Sequence, residues 1–128
     1  VIDLGGILED GITPELRADF LKVIRIVGRT DVVFRLRVKN AAGTDIPPSE
    51  FASSAFRVQD RFGTTVFTLA GEADVVQDCL VFELGAAATR SDNMAPGYYL
   101  YEVSVLDQDG KRDVVIPAST FFVSLGLG

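Results

Sequence analysis

One stretch, APGYYLYEVSVLDQDGKRDVVI from Ala95 to Ile116, gathers the residues whose types and spacing come nearest to chemistry. Tyr99 and Tyr101 could stack on a ligand or donate protons, and Asp107, Asp109 and Asp113 around Gly110 superficially suggest calcium. The calcium reading fails on register. An EF-hand loop needs acids at alternating positions, Gly at the sixth and Glu at the twelfth, whereas Asp and Gly are the residues that short hairpin turns demand. The tyrosines have a structural reading too. Alternation through Tyr99, Tyr101, Val103 and Val105 sets two of them on an otherwise apolar face. In Greek-key sandwiches a Tyr just after a corner buries its ring and bonds its hydroxyl to nearby backbone. Pro96 and Gly97 supply that corner, so Pro96, Gly97 and Tyr99 are expected to be frame rather than site.

Elsewhere the chemistry is thinner. The chain has no histidine, which removes Ser-His-Asp and Cys-His nucleophile pairs and His-based zinc or iron sites. No catalytic residue, metal ligand or cofactor is therefore expected, and the chain reads as a non-enzyme. Cys79 is the single cysteine; it can form no internal disulfide and reads as a half-buried strand thiol. Gly5-Gly6 lies in no strand–GxGxxG–helix context, so it implies no phosphate cradle. Glu50 and Asp60 read as loop acids. Arg35, Arg37 and Lys39 form a basic row that either meets an acidic partner or, more commonly, is a solvated sheet face.

A net charge of −6 argues against nucleic acid as a partner, because phosphate binding needs a basic surface. No apolar run approaches the ~18 residues that cross a bilayer, and the opening VIDLGGILEDG lacks the pattern of a signal peptide, so no membrane partner is expected. With 48% apolar and 23% charged residues over 128 positions, the chain can bury one core as a single globular domain.

The elements follow from the period of the pattern. Residues 1–19 show no sustained period and read as an N-terminal arm. Thr13-Pro14-Glu15 offers a hydroxyl cap, Pro at the first helical position and an acid in the first turn, so a short helix over Pro14 to Phe20 is expected. From Phe20 onward the period is two. In VVFRLRVK, Phe34, Leu36 and Val38 face one way and the basic row the other. Pro47-Pro48 breaks the pattern, Asp60-Arg61-Phe62-Gly63 turns it, and VVQDCLVFEL and the run through Tyr98 to Leu106 resume it. Pro117, inside the last run, marks an edge or a bulge. The sum is seven or eight strands with almost no helix over residues 20–128: an all-β, antiparallel, immunoglobulin-like sandwich.

Three segments carry a family resemblance. GRTDVVFRLRVKNAAGTDI (Gly28 to Ile46), AFRVQDRFGTTVFTL (Ala55 to Leu69) and PGYYLYEVSVLDQDGKRDVVIPASTFFVS (Pro96 to Ser124) resemble the immunoglobulin-like modules of tailed-phage virions, in particular the N-terminal domain family of phage baseplate upper proteins. The PPSEF segment departs from that pattern. The resemblance implies a structural and docking component of a virion, placed in a baseplate, tail or head-decorating position. It implies no catalytic residues, other virion proteins as partners, and a homo-oligomer or symmetric multi-copy assembly. The alternative is a carbohydrate- or receptor-binding sandwich of a phage or bacterial surface protein, which would want exposed aromatics. The candidate subunit contacts are the apolar residues of the two ends: Ile2, Leu4, Ile7, Leu8, Phe121, Phe122 and Leu125. They either meet a neighbour or dock on their own domain.

Overall fold

A computed structural model describes residues 2–7, 23–40, 42–89 and 94–124. Ten strands occur among them: β1 (Ile2–Ile7), β2 (Ile24–Val27), β3 (Val32–Lys39), β4 (Asp45–Ile46), β5 (Phe51–Gln59), β6 (Thr65–Ala70), β7 (Glu72–Asp74), β8 (Cys79–Leu84), β9 (Gly97–Asp107) and β10 (Arg112–Ser124). The first sheet runs β1-β3-β8-β7, with β4 also beside β3; the second runs β2-β10-β9-β5-β6. The all-β sandwich expected from the period of two is present.

Both sheets are mixed, which corrects the expectation of purely antiparallel pairing. β1 lies parallel to β3, with Leu4 opposite Leu36, and β2 lies parallel to β10, with Ile24 opposite Phe121. An alternating strand reads the same in either direction, so the residues alone could not show this. Parallel neighbours need a long connection between them, and both pairs have one. Within the expected N-terminal arm, residues 2–7 form a strand of the first sheet. Gly6 packs against the other sheet so closely that a Cβ there would stand 3.0 Å from Val115 Cβ. The expected helix over residues 14–20 lies outside the described residues.

The inward positions form one core. Phe34, Phe56, Phe82, Tyr101 and Phe121 are all under 2% exposed. Phe56 is their hub, stacked between Phe34 at 4.8 Å and Tyr101 at 5.3 Å, with Phe121 edge-on at 6.2 Å. These are the offset and edge-to-face arrangements that aromatic quadrupoles favour. Gly71 stands where the chain leaves β6 in the second sheet for β7 in the first. A Cβ there would overlap Ser54 Oγ and come 2.8 Å from Phe82 Cε1, so only glycine fits the crossing.

One device closes three hairpins. Asn40, Asp60 and Asp107 each accept two backbone N–H bonds on Oδ1, from the residues two and four positions on. Each is followed three residues later by a glycine at positive φ: Gly43 at 83°, Gly63 at 84° and Gly110 at 88°. A side chain strains that backbone and glycine does not. The Asp107 loop is longer than a two-residue hairpin, since Asp107 N–H pairs with the Lys111 carbonyl across Gln108 to Gly110. A fourth turn corrects the expected strand VVQDCLVFEL. Asp74 Oδ1 accepts from Val76 and Gln77 N–H, Asp78 sits at φ 56°, and β8 begins only at Cys79. At Pro117, where a bulge was one expectation, the β9–β10 register shifts between Ile116 and Ser119.

Candidate functional site

Two apolar faces emerge from the tyrosine stretch instead of one. Tyr101, Val103 and Val105 of β9 are buried, and Tyr99 packs partly against the core. The Tyr99 hydroxyl donates to the Ala95 carbonyl at 2.5 Å. Partial burial, and then the nearby Asp60 carboxylate, push the Tyr99 phenol above its usual range, so it stays a donor. Tyr98 and Leu100, on the other side of the same strand, point out to solvent at 66% and 42% exposure.

That outward side belongs to an aromatic patch on the second sheet. Tyr98 is paired across the ladder with Phe122, their rings 4.7 Å apart, and Phe122 is in turn paired with Arg25, whose guanidinium lies 5.7 Å from the ring centre. Val23, just before β2, and Val27, its last residue, flank Arg25 and are about half exposed. From the Asp60 turn, Phe62 projects at 79% exposure with the Arg61 guanidinium 4.9 Å from its ring centre. Between turn and strand lie two adjoining clefts. One, of about 420 Å³, is lined by Phe62, Pro96, Tyr98 and Tyr99, and the other, of about 400 Å³, by Tyr98, Leu100 and Thr120; Arg61 borders both. Exposed rings with arginines over them are the composition that protein interfaces enrich.

The basic row has a different fate. Arg35 Nε bonds Asp3 Oδ1 at 3.0 Å, Arg37 approaches the same oxygen at 3.9 Å, and Lys39 Nζ bonds Asp45 at 2.8 Å. The first sheet thus neutralises its own outer face. Asp107, Asp109 and Asp113 do not converge on a cation, and no group of three or more metal-binding side chains is assembled among the described residues. Burial pushes the Cys79 thiol above its usual range, with Arg37 opposing that rise, which keeps it protonated and a poor nucleophile.

The candidate contact residues separate. Leu4 and Phe121 are core residues, 4% and 0% exposed, so they are not contact surface; their parity along β1 and β10 turns them inward. Ile2 packs partly against the same core. Phe122 faces out. The Ile7 side chain, Leu8 and Leu125 lie outside the described residues. Sequence reasoning passed over Tyr98, Leu100, Phe62 and Arg25. The signal available was parity: in an alternating strand, two apolar neighbours such as Tyr98-Tyr99 or Phe121-Phe122 must put one of the pair on the wet face.

No protein-family model matches this chain, and no curated protein sequence does. Among solved structures it is similar to CopC from Methylosinus trichosporium OB3b, at 18% identity and a TM-score of 0.48, covering 83% of this chain and 87% of that one. It is also similar to the N-terminal domain of ORF48 of phage TP901-1, at 9% identity and a TM-score of 0.47, covering 98% of each chain.

Proposed function

We propose that this chain is a non-enzymatic structural module of a tailed-phage virion, in a baseplate, tail or head-decorating position, which docks on neighbouring virion proteins through the outer face of its second sheet. The observation that carries the docking is the cluster of Tyr98, Leu100 and Phe62 left exposed around the half-buried Phe122, with Arg25 and Arg61 beside the rings. Leaving such side chains wet forgoes about 1.5–3 kcal/mol each relative to burying them, and clustered exposure marks an interaction surface more often than scattered residues do. The virion context comes from the sequence resemblance across about Phe20 to Ser124. Particles purified from a lysate of the strain encoding the chain provide the test, by mass spectrometry and immunogold labelling. Fixed stoichiometry on the particle, with β9 and β10 amides more protected from exchange than in the free chain, supports the reading. Absence from particles overturns it.

A second reading is favoured by the exposed rings of Tyr98 and Phe62 at the Arg61 clefts: a carbohydrate-binding module, in which sugar faces stack on the rings. Binding to a glycan array that is lost in Tyr98→Ala would favour it over protein docking.

A further inference from the structure

The two ends of the sandwich are complementary. At one end the β5–β6 turn presents an exposed knob, Arg61 and Phe62, with Phe62 at 79% exposure. The carboxylate nearest to it in sequence, Asp60, is occupied by the N–H groups of Phe62 and Thr64, so the turn offers a ring and a cation. At the other end lies a cleft of about 400 Å³ lined by Ile46, Pro47 and Phe51 and by the acids Asp45, Glu50 and Asp113, of which Asp45 pairs with Lys39 at 2.8 Å, Asp113 lies 4.0 Å from Lys111, and Glu50 is exposed at the mouth. Its size falls within the range of pockets that hold small ligands or single anchoring side chains.

The same strand connects the two. β5 begins at Phe51, in the cleft, and ends at Gln59, one residue before the knob's turn. At about 3.3 Å per residue the two features stand roughly 27 Å apart, so no copy can seat its knob in its own cleft. We infer that the Arg61-Phe62 knob of one copy docks into the Glu50-rimmed cleft of a second copy, head to tail. Phe62 then meets Ile46, Pro47 and Phe51, and the Arg61 guanidinium meets the Glu50 carboxylate. A contact of this kind is heterologous, and its repetition closes a ring or extends a filament. This rests on the assembly reading above and names one partner within it.

Sedimentation velocity of the full chain, at rising concentration up to millimolar, tests the contact with two variants. Phe62→Asp destroys the knob and leaves the cleft; Glu50→Lys reverses the rim and leaves the knob. Both positions are exposed, and circular dichroism checks that both variants fold. The wild-type chain should associate with rising concentration, and each variant alone should lose roughly tenfold or more in affinity, about 1.4 kcal/mol. An equimolar mixture should recover a complex that stops at one copy of each, because only one good knob and one good cleft remain. A wild-type chain monomeric throughout, variants that associate like wild type, or a mixture that recovers nothing would each overturn the contact. A monomer would leave the assembly reading intact, since that stands or falls on presence in particles.

Discussion

On the outer face of the first sheet, Arg35, Arg37 and Lys39 alternate with core residues and meet Asp3 and Asp45 across the ladder. On the outer face of the second sheet, Tyr98 and Leu100 alternate with core residues in the same way and meet Phe122 and Thr120. Parity is equal and chemistry opposite. Exposed ion pairs are worth about 0–1 kcal/mol, so the first face carries charges matched within the chain and gains little by being covered. The rings of the second face gain only by being covered. The contrast teaches that solvent exposure by itself does not locate a working surface. What a face still lacks does.

The contrast presupposes one core shared by both sheets, and the largest effect tests that. Phe56→Ala removes the ring that touches Phe34 and Phe82 across the sandwich and Tyr101 and Phe121 within its own sheet. Denaturant unfolding should show a loss of about 3–5 kcal/mol in a single cooperative transition. Two separable transitions would mean that the sheets do not share a core, and the comparison of their outer faces would fail. Gly71→Ala comes next. The added methyl has to displace Ser54 and Phe82 where the chain changes sheet, and overpacking of this kind costs about 1–3 kcal/mol. A neutral result would show that the crossing has slack.

Tyr98→Ala separates stability from docking. The variant should lose only about 0.5–1.5 kcal/mol, the worth of a cross-strand aromatic pair, while its incorporation into particles falls by roughly tenfold or more. Incorporation at the wild-type level would move the docking surface off the second sheet. A double-mutant cycle with Phe122→Ala would then still report the pair's coupling, because that belongs to the fold.

The sandwich was legible because alternation runs through β3, the later part of β5 and the start of β9, and the Asx-Gly turns because their residues have few other uses. Three things were not. Strand direction is absent from a period of two, which hid both parallel pairs. Val75-Val76 looks like strand by composition, yet Asp74 captures the following amides before a ladder can form. Leu4 and Phe121, near the ends of the chain, have the apolar character of contact residues, yet their parity along β1 and β10 turns them into the core. Tyr98 and Leu100 lie inside the Ala95–Ile116 stretch, on the side of β9 that faces away from Tyr101.

The smallest effect sharpens the contrast most. Asp3→Asn removes the carboxylate that Arg35 and Arg37 share, and Asp3 is itself about half exposed, at 59% of its side chain. Screening at that exposure limits the loss to about 0.2–1 kcal/mol, and it should shrink further in high salt. Incorporation into particles should not change. If it does fall while stability holds, the Asp3 face touches a neighbour after all, through a carboxylate that some partner's cation shares with Arg35. Both faces would then be working surfaces, one satisfied by charge and the other by rings, and the module would bridge two neighbours where the present contrast assigns it one.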